Sequence, residues 1–276
     1  IASQNLSNDS VYIFSSDVTG TVVNNTTLNS LGSYNYGIYS AGSATNNANI
    51  NFGTGLGNVG VYSTHGGTIT NSAVITVGGS YIDPSGNTDN NRYSVGMAAG
   101  FTPDAAEIAA GKTPYSGNVV NNGTINVTGE YSIGMYGTDS GTIVTNAPGA
   151  VINLNASNTT GMYLDNGAYG YNYGTIKTNG AGLKNVAGIV VKNGSTIENH
   201  GLIQLDAEEA VGILAKGDAL GNNLGIIKNY GTFAITGAGS QDMQEDTGSN
   251  NLGKSMGGVA INVPVGSNVG TITVNG

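Results

Sequence analysis

Apolar residues along this chain come in short bursts at alternate positions, and the bursts recur. Ile75 and Val77, Ile125 and Val127, Ile203 and Leu205, and Phe233 and Ile235 each sit two apart with a small or polar residue between them. Alternation of this kind marks a β-strand with one buried face. The bursts are separated by corners rich in Gly, Asn and Ser, so the pattern predicts many short strands and little helix.

The bursts also keep time. Asn24, Asn46, Asn71, Asn121, Asn146, Asn172, Asn199 and Asn229 mark successive units, with separations of 22, 25, 50, 25, 26, 27 and 30. Two residues before these markers stand Val22, Ala44, Ile69, Val119, Val144, Ile197 and Ile227. A second marker, a Gly between mostly apolar residues, follows in "YGIY" at Gly37, "VGVY" at Gly60, "VGMA" at Gly96, "IGMY" at Gly134, "TGMY" at Gly161, "AGIV" at Gly188 and "VGIL" at Gly212, with "GGVA" at Gly258 later than the spacing asks. Each unit therefore holds three short strands with one apolar face, which no unit can bury alone; stacked units bury it together.

These features predict an all-β fold, a single-stranded right-handed parallel β-helix of about eight to nine turns of roughly 25 residues, about 40 Å long at the usual sheet spacing. Two loop insertions interrupt it, at about 78-117 and about 236-254. An Asn at the same corner of every turn can donate its amide to the Asn of the next, and the Gly two places after it is expected to supply a backbone conformation other residues reach only at a cost.

Composition narrows the function. The net charge is -9 and Arg92 is the single arginine, which argues against nucleic acid as a partner. With no Cys there is neither a disulfide framework nor a thiolate metal site, and no cofactor is indicated. No apolar run approaches membrane-spanning length. The chain begins at Ile1 and stops in mid-pattern at "TITVNG", which reads as a piece of something longer, with any anchor outside it.

Candidate binding residues follow from position. The first insertion holds three of the five prolines, Pro84, Pro103 and Pro114, and a short helix expected from Pro103 and Asp104 through Ala110 to Gly111. Loops on a rigid scaffold collect binding residues, so Tyr81, Arg92, Tyr93 and Tyr115 are candidates. Tyrosine is abundant, 15 against 4 Phe and no Trp. Tyr39, Tyr62, Tyr136 and Tyr163 follow the second marker and by alternation face outward and stack in neighbouring turns. Such rings can bind sugars or a protein partner, or can serve the solenoid alone.

Catalysis has thin support. His65 and His200, the only histidines, are expected more than five turns apart, and His200 reads as an ordinary surface residue. Asp242, Glu245 and Asp246 in the second insertion could hold a hard cation or form a solvated acidic loop, and the lack of EF-hand or "GGxGxD" spacing favours the loop. Asp206, Glu208 and Glu209 are read the same way. A carbohydrate-active site would need two carboxylates facing one groove, and no spacing singles out a pair.

The motifs "NNGTINV", "NHGLIQL" and "NYGTFAI" with the "GIY/GMY" corners resemble those of the large autotransporter adhesins of Fusobacterium, whose passengers are long β-helices exported through an outer-membrane barrel. The resemblance covers nearly all of the chain outside the insertions and implies one β-helix segment, 1-276, of a larger passenger at the bacterial surface. It further implies a non-enzymatic adhesin that binds host-cell or bacterial surface protein or glycan, touching the membrane only through an anchor elsewhere. A carbohydrate-active enzyme and a pure spacer are the alternatives.

Overall fold

The computed structural model describes residues 8–217, 225–246 and 272–274, with side chains described up to Gln244. Successive units do coil, and the fold is a right-handed parallel β-helix of about eight turns. Its strands form three sheets, each drawing one strand from every rung. The first sheet runs from Val11–Ser15 to Gln241–Asp246, the second from Thr21–Asn24 to Ile226–Asn229, and the third from Leu28–Asn29 through Thr232–Ile235 to Ile272–Val274. Every pairing within the three sheets is parallel and in register with the repeat, as when Ile125 lies between Ile75 and Ile152.

Alternation accounts for the core. In Thr124–Val127 the side chains of Ile125 and Val127 are buried while Thr124 and Asn126 are half-buried on the outside. Columns of such residues line the axis: Ile50, Ile75, Ile125, Ile152, Ile176 and Ile203 in the third sheet are all fully buried. Each contributes about 1.5–3 kcal/mol by leaving water. The columns are not uniform. Gly170 holds a place where its neighbours carry Val144 and Ile197, and the space is filled from the first sheet by Leu164, whose Cδ1 would lie 2.4 Å from a Cβ on Gly170.

The marker asparagines form the expected ladder. All eight are nearly or fully buried. Each Nδ2 donates to the Oδ1 of the next: Asn24 to Asn46 at 2.7 Å, Asn46 to Asn71 at 2.8 Å, Asn71 to Asn121 at 2.9 Å, Asn121 to Asn146 at 3.0 Å, and on to Asn229. The Oδ1 also accepts the backbone N–H two residues on, as Gly123 to Asn121 at 3.2 Å, closing the corner. The glycine after the Asn has a different cause from the one expected: Gly123, Gly174, Gly201 and Gly231 do not take positive φ. A Cβ there would sit 2.0–2.4 Å from a carbonyl oxygen of the preceding rung, as at Ala73 for Gly123. Close approach of backbones, and not conformational freedom, excludes a side chain. The second-marker glycines obey the same rule, with a Cβ on Gly134 meeting Gly161 O at 2.5 Å.

The stretch 78–117 departs from a single insertion. Strand Val95–Ala99 lies inside it, paired in register with Val59–Ser63 and Ile133–Thr138. Two excursions flank that strand, each pinched by an antiparallel bridge, Tyr81 with Arg92 and Phe101 with Tyr115. The second carries α1, Ala105–Ala109, where Asp104 accepts from Glu107 N and Glu107 reaches back to Asp104 N. Asp104 is thus the cap, and Pro103 precedes the helix instead of opening its first turn. Much of 236–246 also continues the coil: Gln241–Asp246 pairs with Val211–Lys216, and Asp242 occupies the place of the marker glycine beside Gly212. Residues 247–254 and the marker at Gly258 lie outside the described residues.

Candidate functional site

The outer face of the first sheet carries two rows of side chains. Before each marker glycine stand Tyr36, Val59, Val95, Ile133 and Thr160; two places after it stand Tyr39, Tyr62, Ala98, Tyr136 and Tyr163. The tyrosines face outward and meet their neighbours as expected, with ring centroids 5.1 Å apart for Tyr39 and Tyr62 and 5.9 Å for Tyr136 and Tyr163. Ala98 interrupts the row, and that one small side chain leaves room for the smaller of two depressions.

Two depressions lie on this face. The larger, about 510 Å³, has Val95, Ile133 and Thr160 as its floor, with Tyr93, Tyr131 and Asn158 along one wall and Tyr136, Tyr163 and Asp165 along the other. The smaller, about 230 Å³, lies over Val59 and Ala98 and is bounded by Tyr62, Phe101 and Thr102. Tyr136 lines both, so they adjoin along the coil and together make an aromatic trough with Tyr136 between its two parts. The two excursions supply its added walls, Tyr93 from the first and Phe101 from the second.

Four of the eight predicted contact residues, Tyr62, Tyr93, Tyr136 and Tyr163, line the trough. The other four support it or lie aside. Tyr115 stacks on Phe101 at 5.1 Å and on His65 at 4.2 Å, holding the second excursion against the coil. Tyr39 packs edge-on against Tyr62. Tyr81 meets Tyr34 at 6.5 Å, and the Arg92 guanidinium donates to Asp89 O and Asn91 O, closing its own loop.

Tyr131 counts in the sequence only as one of several tyrosines near the corners, and Asn158 and Asp165 were not singled out from it. The first two have a common signal: each sits three residues before a marker glycine, where the backbone turns left-handed, with φ of 59° at Tyr131 and 57° at Asn158. Tyr34, Asn185 and Glu209 hold the same phase and the same conformation. For Asn this is tolerable; for a tyrosine it costs about 1–2 kcal/mol. The corner throws the Tyr131 ring outward, 46% exposed, onto the rim of the trough.

The trough's electrostatics are one-sided. Burial pushes the Tyr136 phenol up to about 12, and it raises Tyr62 and Tyr163 further, so these hydroxyls stay neutral and can donate. The Asp165 charge adds to the rise at Tyr136 and Tyr163. Asp165 is the only charged residue in the lining of either depression. One of its oxygens accepts from Asn166 N at 2.9 Å and Asn193 Nδ2 at 2.7 Å, while the other lies 3.9 Å from Lys192 Nζ.

A second ring column runs along the second sheet and its corner. His200 stacks between Tyr173 at 5.0 Å and Tyr230 at 4.8 Å, and Tyr171 continues the stack beside Tyr173. His200 is thus a member of a ladder rather than an ordinary surface residue, because the place after the marker Asn stacks on Tyr173 and Tyr230, its counterparts in the adjacent rungs. Ring faces here are turned on one another, so the column presents edges. Glu198 accepts from Tyr169 Oη at 2.5 Å and Lys228 Nζ at 2.9 Å, and these bonds hold its carboxyl below the usual range.

The two histidines are closer than expected, since Asn71, Asn121, Asn146, Asn172 and Asn199 are successive rungs and the excursions absorb the extra sequence. Four steps still separate them. Among the described residues no three His, Cys, Asp or Glu side chains gather as a metal site. Glu208 pairs with Lys184, and Asp206 accepts from Thr236. Asp242 lies on a strand, and the side chains of Glu245 and Asp246 lie outside the described residues.

The chain is a parallel β-helix solenoid with an aromatic trough along one face. Residues 52–173, fewer than half of the chain, match the family model described as the BigA third pectate lyase-like domain. That span contains both excursions and all of the trough's lining except Tyr36. No curated protein matches the chain, and no solved structure does.

Proposed function

We propose that this chain is a surface-displayed, passenger-type segment that adheres to a receptor through the aromatic trough. The observation that carries the reading is the trough itself, an open groove lined by tyrosines and walled by the two excursions. Aromatic residues over an apolar floor are the usual anchors of recognition surfaces. The match to a domain of BigA, an autotransporter-like adhesin, supports a bacterial surface location and an adhesive role. It supports nothing finer about which bacterium or which receptor.

A pectate lyase-like match also raises catalysis. Glycosidic hydrolysis needs an acid and a second carboxylate flanking the bond, and elimination needs a base with a cation to balance the uronate carboxylate; the trough's lining holds Asp165 and no Lys, Arg or His. This supports binding over turnover. The test is attachment of the folded chain to candidate cells, with Tyr136→Ala/Tyr163→Ala as the variant. Loss of two anchors predicts roughly 30-fold weaker attachment or more. Unchanged attachment with lowered stability would favour a spacer, and release of sugar fragments from polysaccharide would favour an enzyme.

A further inference from the structure

We infer that the larger depression of the trough is a site for an organic ammonium group, seated among tyrosine rings and balanced by Asp165. The inference rests on the trough being the binding surface and adds what it binds. Tyr93, Tyr131, Tyr136 and Tyr163 border the space. Faces of electron-rich rings attract cations, more strongly as water is excluded. Asp165 sits on the same wall as Tyr136 and Tyr163 and is the one formal charge in the lining. Its charge reaches the two phenols, which it holds further from ionising.

Charge complementarity excludes the opposite ligand. Lys192 pairs with Asp165 at 3.9 Å and lies outside the lining. Arg92 spends its guanidinium on Asp89 and Asn91 carbonyls. The whole chain carries -9. An acidic sugar polymer, the ligand that the words "pectate lyase-like" call up, would meet a carboxylate in the lining and no cation there beyond the one already paired with it. An ammonium group gains from the local carboxylate, from the rings and from the overall field.

Such a group occurs on a lysine side chain and, quaternised, on a choline headgroup. The experiment therefore titrates the whole chain with n-butylammonium and with choline, following tyrosine ring resonances by NMR. Choline's uncharged carbon isostere, dimethylbutanol, and galacturonate serve as comparisons. Expected is saturable binding by one or both cations, shifts centred on Tyr136 and Tyr163, and weakening by added salt. Asp165→Asn should weaken binding roughly tenfold, as should Tyr93→Ala, which alters an exposed loop ring and leaves the coil intact. Tighter binding of butylammonium points to a lysine side chain, and of choline to a headgroup. Equal binding of the isostere, preference for galacturonate, or no saturable cation binding overturns the inference. If cations do not bind while Tyr136→Ala/Tyr163→Ala still abolishes attachment, the ligand assignment alone falls. If cations bind and attachment is untouched, the adhesive reading falls instead.

Discussion

Replacing Asn121 by Ala tests whether the asparagine ladder stabilises the coil or merely decorates it. The side chain makes four hydrogen bonds: it accepts from Asn71 Nδ2 at 2.9 Å and Gly123 N at 3.2 Å, and donates to Asn146 Oδ1 at 3.0 Å and Gly123 O at 3.3 Å. Asn71 Nδ2 keeps one hydrogen on Ala73 O at 2.9 Å, and its other hydrogen is left unpaired in a buried side chain. Asn146 Oδ1 is left unpaired in a fully buried side chain, and the half-buried Gly123 N–H is left beside it. An orphaned buried group costs about 1–3 kcal/mol, so the expected loss is about 3 kcal/mol. The control is Asn51→Ala, which removes the same kind of amide bond, to Asn29 Oδ1 at 2.8 Å, from an exposed site. Water replaces that bond, and the loss should stay below about 0.5 kcal/mol. Urea unfolding followed by both circular dichroism and tyrosine fluorescence gives the comparison, and solenoids require that the two probes coincide before a free energy is quoted. Amide exchange at Gly123 should accelerate in the first variant only. Equal destabilisation by the two substitutions would refute the argument, which rests on the buried groups that only the first leaves unpaired.

Two further outcomes follow from the packing. Gly170→Val should destabilise the coil by about 1–3 kcal/mol through collision with Leu164, and Leu164→Ala should relieve part of that cost in the double variant; a purely additive pair in thermal unfolding would contradict the complementarity. Glu198, held below its ordinary carboxyl value by Tyr169 first and Lys228 second, stabilises the fold above the unfolded carboxyl range and loses that contribution as pH falls through its lowered value. The stability gap between the parent and Glu198→Gln should therefore be present near neutrality and close in acid below about pH 4, and a gap that widens in acid would reverse the assignment.

The coil was legible because its cause is periodic. Ile125 and Ile152 declare themselves by phase, and so do Asn121 and Asn146, since each rung must satisfy the same corner. Where backbone distance decides, the sequence marks the place without the reason: Gly123 is visible, but the carbonyl of Ala73 that excludes its side chain is not. The strand Val95–Ala99 announced itself by its "VGMA" glycine yet was counted within an insertion, because long excursions on both sides mask where the coil resumes. The trough was half legible. Outward tyrosines were countable, whereas the opening made by Ala98 and the walls at Asn158 and Asp165 depend on which side chains are small or turned across the sheet.

One property of the amide ladder reaches beyond the rung that makes it. Every described link has its donor toward the amino-terminal side and its acceptor toward the carboxy-terminal side. The stack is thus vectorial, like a row of magnets laid pole to pole. Severed between Asn121 and Asn146, it would bare a hydrogen-bearing amide on one fragment and a lone pair on the other, so the halves have a complementary handshake in a single sense and none when either is reversed.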